Sequence, residues 1–264
     1  MIKFILEYLF MFITGATLGW VLEVFYRRYF GKAKQWMNPG FLSGPFLPLY
    51  GTGVCLLYIV SDLAIHIGVK ICLFALITTG IEYLTGLFFL RVYNTRLWDY
   101  TKLKFNIQGI ISPLYTVFWT LLSLVFYYIL YPYFYLQVSY LYEHLEFSLF
   151  IGVFYGVAIV DVIHSFDVLN RLKAMSDALG QTQVAIHYDQ LKLDIAERFD
   201  ELTDRVEDFG DRLEGIGGRV SNYRTKLRRP TFLHPFRGDY NLKLHLQKHF
   251  EKVKETKRRE KHSL

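Results

Sequence analysis

Cysteine is nearly missing from this 264-residue chain. Only Cys55 and Cys72 occur, and both fall inside apolar runs. That excludes a disulfide framework and reads as two buried free thiols. The familiar catalytic signatures are missing as well. No G-x-x-x-x-G-K-[ST] phosphate loop is present, so the chain is not the ATP-hydrolysing subunit of a P-loop system. Neither an H-E-x-x-H zinc pair nor a G-x-S-x-G nucleophile elbow occurs. No nucleophile or metal set stands out, so no catalytic residue, metal or cofactor is expected. The opening run starts almost at Met1 and is long enough to span a bilayer, so it reads as an uncleaved first helix rather than a cleaved signal.

What the chain has is apolar length. Hydrophobic residues make up 52% of it and aromatics 18%. Near-continuous runs of about twenty apolar residues are rare in soluble domains and mark membrane helices. Five spans are expected: Phe4 to Tyr26, Phe46 to Ile65, Val69 to Val92, Ile110 to Tyr131 and Leu149 to Phe166. Basic residues cluster in the first loop (Arg27, Arg28, Lys32, Lys34), the third (Arg91, Arg96, Lys102, Lys104) and just after the fifth span (Arg171, Lys173). The fourth loop, Tyr131 to Phe147, has none and is rich in Tyr. The positive-inside rule then puts the N-terminus outside and the tail in the cytoplasm of a cell membrane, with an outer aromatic belt at the fourth loop. The fold class expected is all-α: a polytopic helix bundle, residues 1–167, with a cytoplasmic coiled-coil-like helical tail.

One stretch breaks the pattern. Asn38 to Gly51 holds three prolines and three glycines in fourteen residues, yet is apolar between them. Such backbone survives at a membrane only where protein or water satisfies its polar groups. Pro39, Gly40, Gly44, Pro45, Pro48 and Gly51 are therefore candidate gating or broken-helix residues. The plain alternative is a connecting loop before a Pro-started helix.

Three carboxylates lie within the spans: Glu23, Glu82 and Asp161. Ionisable groups at that depth are costly and face a cavity or a partner. A single polar cavity opening to the cytoplasm is expected, lined by these three and the broken stretch. Glu23 reads equally well as an i,i+4 partner of Arg27. Asp161 reads alternatively as a partner of Ser165 or His164. In the third loop, Trp98 and Tyr100 beside Asp99 either anchor the loop in the headgroups or close the cavity as a lid. Asn38, Asp99 and Asn106 join the three acids as candidate substrate or ion contacts.

The tail differs. From Val184 to Leu227 apolar residues step by four and three, a heptad seam with one 4-4 stutter at Leu191-Ile195-Phe199. It offers a homo-oligomerisation element within residues 168–230. Residues 231–264 end in a basic helix, Asn241 to Lys261, with Leu242, Leu244, Leu246, Phe250 and Val253 as its apolar set. Residues 219–264 hold 14 Lys or Arg against 4 Asp or Glu. An anionic lipid face or acidic protein is the expected contact, ahead of nucleic acid, with a solvated terminus as the bland reading.

Gly19-Trp20 with Glu23, then Asn38 to Pro45 and Pro48-Leu49-Tyr50-Gly51, then Glu82, Thr85-Gly86, Trp98-Asp99-Tyr100, Asn106 and Gly109 resemble the putative ABC-transporter type IV family. The resemblance covers about residues 10 to 165. Thr101 stands where Ser is expected, which keeps the hydroxyl. The resemblance implies a permease-like protein of the bilayer, working with an ATPase or other cytoplasmic partner. The alternatives are a scaffold or sensor acting through the heptad tail, and a lipid head-group enzyme using Glu82 or Asp161.

Overall fold

The computed structural model describes residues 2–31, 34–144, 147–181, 184–197 and 242–262. Helix dominates: α1 (Ile2–Tyr29), α2 (Pro48–Asp62), α3 (Ile67–Tyr93), α4 (Pro113–Val125), α5 (Tyr131–Glu143), α6 (Ser148–Ala178), α7 (residues 188–197) and α8 (Leu242–His262). Four helical stretches are long and apolar enough to cross a membrane: Phe4–Tyr29, Ile67–Tyr93, Pro113–Gln137 and Ser148–Ala178. Many of their outward side chains are large and apolar, among them Leu76, Leu84, Phe150 and Val157. Cys72, expected to be buried, is exposed on α3, whereas Cys55 is partly buried; both thiols are free.

The expected second span is shorter than the sequence pattern suggests. Pro48 starts α2 and extended Leu63 ends it, leaving 15 residues. At about 1.5 Å per residue that is about 22 Å, short of a hydrocarbon core of about 30 Å. Residues 38–47 before Pro48 are irregular instead of helical because Pro45 and Pro48 remove helix donors. The expected fourth loop is likewise mostly helix. A π turn, Phe126–Leu130, joins α4 to α5. Pro132, in the first turn of α5, has no N–H to give a regular helical bond, and the wide turn just before it absorbs the gap.

α1 and α2 pack antiparallel through small residues. A side chain at Gly15 would meet Val54, one at Gly19 would meet Tyr50, and one at Gly51 would meet the Phe12 carbonyl. Close backbone approach of this kind is how membrane helices gain van der Waals contact. One core joins Met11 of α1 and Leu57 of α2 to Phe74 of α3, Phe126 of the π turn and Phe134 of α5.

The tail folds back on the bundle. β1 (Thr95–Arg96) pairs in parallel with β2 (Ile186–His187), in register Thr95 with Ile186 and Arg96 with His187. Ile186, Tyr188, Leu191 and Ile195 join Phe89, Leu97, Leu169 and Leu172 in a second core, with Leu246 and Phe250 of α8. The first seam positions, expected to serve oligomerisation, are thus buried within one chain. The seam from residue 198 onward lies outside the described residues. α6 runs unbroken through the expected boundary at 167/168, and α8 packs beside α7 in one lobe. Of the basic helix's apolar set, Leu246, Phe250 and Val253 are buried, while Leu244 is exposed.

Candidate functional site

The Asn38–Leu47 segment climbs into the bundle. Leu47 N–H donates to the Ala16 carbonyl at 3.0 Å, halfway along α1. Two side chains hold it there. Asn38 is buried and donates to the Leu42 and Ser43 carbonyls at 2.9 and 3.0 Å, while Trp20 Nε1 donates to its Oδ1 at 2.6 Å. Asp161 of α6 accepts from the Ser43 and Gly44 N–H groups at 3.2 and 2.9 Å, and Ser165 Oγ lies 3.4 Å from it. Gly40 supplies the one left-handed turn, at φ 71°. Free N–H and C=O groups at this depth would have no water, so these bonds are what makes irregular backbone tolerable.

The third loop does the same. Asn106 donates to the Thr101 and Leu103 carbonyls at 3.2 and 2.7 Å and accepts from Gly109 N–H at 2.9 Å. Trp98 Nε1 donates to the Ile110 carbonyl at 2.8 Å, and Asp99 accepts from Thr101 N–H at 2.9 Å. Ile110 packs against Gly86, well inside α3. The two halves repeat one plan: a helix bearing an acid (Glu23, Glu82), a segment stapled by an asparagine (Asn38, Asn106), then a helix opening Pro-Leu-Tyr (Pro48 to Tyr50, Pro113 to Tyr115).

The two acids sit among tyrosines. Tyr50 OH donates to Glu23 Oε2 at 3.0 Å, and Arg27 Nε donates to Oε1 at 3.0 Å. Tyr100 OH donates to Glu82 Oε1 at 3.0 Å, and its ring stacks on Tyr115 at 4.2 Å. Tyr115 OH lies 3.3 Å from Tyr26 OH, which links the halves. Glu82 is only 2% exposed, and its Oε2 has no hydrogen bond. The Trp119 indole N–H interacts with this carboxyl but does not meet hydrogen-bond geometry, and it has no other partner.

From Glu23 a chain of charge leaves the bundle. Arg27 Nη1 donates to Asp189 Oδ2 at 2.5 Å, and Lys192 Nζ lies 3.0 Å from Asp189 Oδ1. Lys192 Nζ also donates to the Asn38 and Gly40 carbonyls at 2.8 and 3.0 Å, and Tyr188 OH to the Phe41 carbonyl at 3.3 Å. Burial would raise the Asp189 carboxyl, but Lys192 and Arg27 outweigh it and hold the group below its usual value. Beside them, His249 Nδ1 and Lys252 Nζ lie 3.3 and 2.6 Å from Asp194, His187 N–H reaches His249 Nε2 at 3.4 Å, and His187 Nδ1 is 3.6 Å from Asp99. Burial raises Asp194 too, and the His249 and Lys252 contacts override it downward.

An apolar cavity of about 120 Å³ lies between α1, α2, α3 and α4. Glu23, Glu82 and Asp161 are not among the residues that line it. Each is drawn instead to hydroxyl, guanidinium or backbone donors. The sequence singled out Glu23, Glu82, Asp161, Asn38, Asn106 and Tyr100 but gave no sign of Asp189 and Lys192, the partners contributed by the tail. The repeated Pro-Leu-Tyr was the signal for the two-part plan. Among the described residues no group of three metal-ligating side chains occurs. The family model described as putative ABC-transporter type IV matches residues 10–166. No solved structure matches the chain.

Proposed function

The chain belongs to the putative ABC-transporter type IV family, and from that premise we propose that it is a permease-like component of a transport system. The observation that carries this reading is Glu82: a buried membrane carboxyl with one oxygen unmet, held from the loop side by Tyr100. Such groups mark substrate or ion paths by default. Glu82 is the substrate- or proton-accepting group, Glu23 its counterpart in the first half, and the stapled loop carrying Trp98, Asp99 and Asn106 the gate beneath. Asn38, Asp161 and the Pro39–Gly51 breakers hold the gate's frame.

In this reading the chain crosses the cell membrane five times, the second crossing being the stapled segment plus α2. The basic residues beside Tyr29 and Tyr93 favour an outside N-terminus and a cytoplasmic lobe. Residues 1–167 form the membrane domain, and 168–230 with 231–264 form the tail. An ATPase, absent from this chain, supplies energy, and self-association supplies the missing helices. A second reading, a scaffold or sensor, is favoured by the continuous path Tyr50–Glu23–Arg27–Asp189–Lys192, which ties membrane packing to the tail.

Gentle extraction from native membranes followed by mass spectrometry of co-purifying proteins tests the choice. A stoichiometric ATPase, with transport lost in Glu82→Gln while folding persists, is the expected result. A soluble non-ATPase partner lost on removing residues 184–264, with Glu82→Gln silent, overturns the permease reading in favour of the sensor.

A further inference from the structure

We propose that the foot of α1, with the residues just after it, binds the headgroup of an anionic phospholipid. The inference concerns what holds the start of the stapled segment at the membrane surface, and it is independent of what the protein carries.

The exposed stripe of α1 sets the place. Leu18, Leu22, Phe25 and Tyr29 step by four, three and four, so they share one side of the helix, and all four are exposed. α1 is long and apolar enough to cross a membrane as far as Tyr29. Phe25 and Tyr29 therefore continue a surface that meets lipid, at the level where a spanning helix leaves the hydrocarbon. Their rings stack at 6.3 Å. Trp36, returning from the loop, sets its ring edge-on to both, at 5.8 and 6.5 Å. It remains 53% exposed after these contacts, so part of the indole is left for another molecule. Amphipathic rings of this kind settle at headgroup depth.

The charge says which headgroup. No Asp or Glu occurs between Glu23 and Asp62. Arg27 is spent on Glu23 and Asp189. Arg28 and Lys34 are not spent in this way: among the described residues neither is paired with an acid. Arg28 lies over the Trp36 ring, its Cζ 5.7 Å from the ring centre, and its Nη1 donates to the Lys34 carbonyl, which fixes the guanidinium at the edge of the aromatic patch. The rest of its planar fork suits the oxygens of a phosphate. A zwitterionic lipid brings its own cation to that phosphate, whereas a net-anionic one leaves the charge for Arg28 and Lys34. Trp36 stands two residues before Asn38, so a lipid held here pins the entry of the stapled segment.

The test uses the full-length protein in phosphatidylcholine nanodiscs that hold a small fraction of brominated phosphatidylglycerol, or the same fraction of brominated phosphatidylcholine. The bromines sit high on the acyl chains and quench a nearby indole. Subtracting the signal of Trp36→Phe isolates Trp36 from the other tryptophans. A basic residue near the surface favours anionic lipid by about fivefold, so quenching of Trp36 by the anionic lipid is expected to exceed that by the neutral one by about twofold or more. Added salt should shrink the difference in the unaltered protein. Arg28→Gln combined with Lys34→Gln should abolish it, and Arg28→Lys combined with Lys34→Arg should keep most of it, with thermal unfolding of both proteins unchanged. Equal quenching by the two lipids, or a preference that survives the double Gln change, overturns the proposal. So does a Trp36 that neither lipid quenches, which would mean that a second copy or another protein covers the patch.

Discussion

Arg27 and Asp189 meet at 2.5 Å although 162 positions separate them in the chain. One ends the first membrane helix and the other opens the first tail helix, so the pair fastens the tail lobe to the bundle. Removing the carboxyl leaves the buried Lys192 without its anion and beside Arg27, which keeps only Glu23. Breaking a buried pair from one side costs about 3–5 kcal/mol. Arg27 and Asp189 keep 18% and 25% of their side chains exposed, so the low end, about 3 kcal/mol, is expected for Asp189→Ala. Unfolding in detergent should show the lower stability, and limited proteolysis should open the chain near residues 180–186 first. Unchanged proteolysis would mean that the apolar core alone holds the lobe.

Asp194 makes the lobe's pH response calculable in sign. Its folded value lies below its usual one because contacts from His249 and Lys252 override burial. A depressed acid stabilises the fold fully above its unfolded value, about 3.9, and the gain is lost as pH falls through the lower folded value. The lobe should therefore stay docked from pH 7 down to about 4 and release below that. Trp98 packs against the lobe core, so its fluorescence in a variant with Trp20, Trp36 and Trp119 replaced reports the release. Asp194→Asn should weaken docking at pH 7 and lose the acid-linked part of the change. Release of the unaltered lobe centred above pH 5 would contradict this.

Much of this was legible in the sequence, and what was not has a common cause. Length and apolar runs gave α1, α3 and α6 because a spanning helix satisfies its own backbone and needs no partner to be recognised. The Asn38 to Gly51 breakers announced irregular backbone, and Asp161 announced a buried need. Their mutual contact was not readable, because 117 positions lie between Gly44 and Asp161. A heptad stripe such as the tail's does not say whether it faces a second chain or its own. Tyr188, Leu191 and Ile195 face their own. Lys192, which reads as one more solvated charge, is instead the buried donor to the Asn38 and Gly40 carbonyls.

Asp161 should behave as a structural staple. Asp161→Ala strands the Ser43 and Gly44 N–H groups, each costing about 1–3 kcal/mol when left unmet. Asp161→Asn retains one acceptor oxygen and should lose about half as much. Thermal unfolding of the two variants in one detergent gives the order, unaltered protein above Asn above Ala. A disulfide-trapping measurement between Leu42 and α6 would show the segment loosening in the same order. An Asp161→Ala protein as stable as the parent would release Asp161 from this role and return it to the substrate path.

Gly19 is where packing and the acid layer meet. A Cβ there strikes the root of the Tyr50 ring, not a flexible tip. Tyr50 cannot turn aside cheaply, because its hydroxyl holds Glu23 Oε2 at 3.0 Å and its ring packs edge-on against Trp119 at 5.3 Å. Overpacking of this kind costs about 1–3 kcal/mol. Gly19→Ala should therefore destabilise by that amount, whereas Gly156→Ala on α6, whose Cβ meets nothing within 4 Å, should be neutral. The informative comparison is Gly19→Ala with and without Tyr50→Phe. If the cost includes pulling the hydroxyl off Glu23, the second change adds less to the first than it costs alone, and the two are coupled. If the two costs simply add, the clash is relieved by backbone movement between α1 and α2, and Tyr50 keeps its hold on the acid.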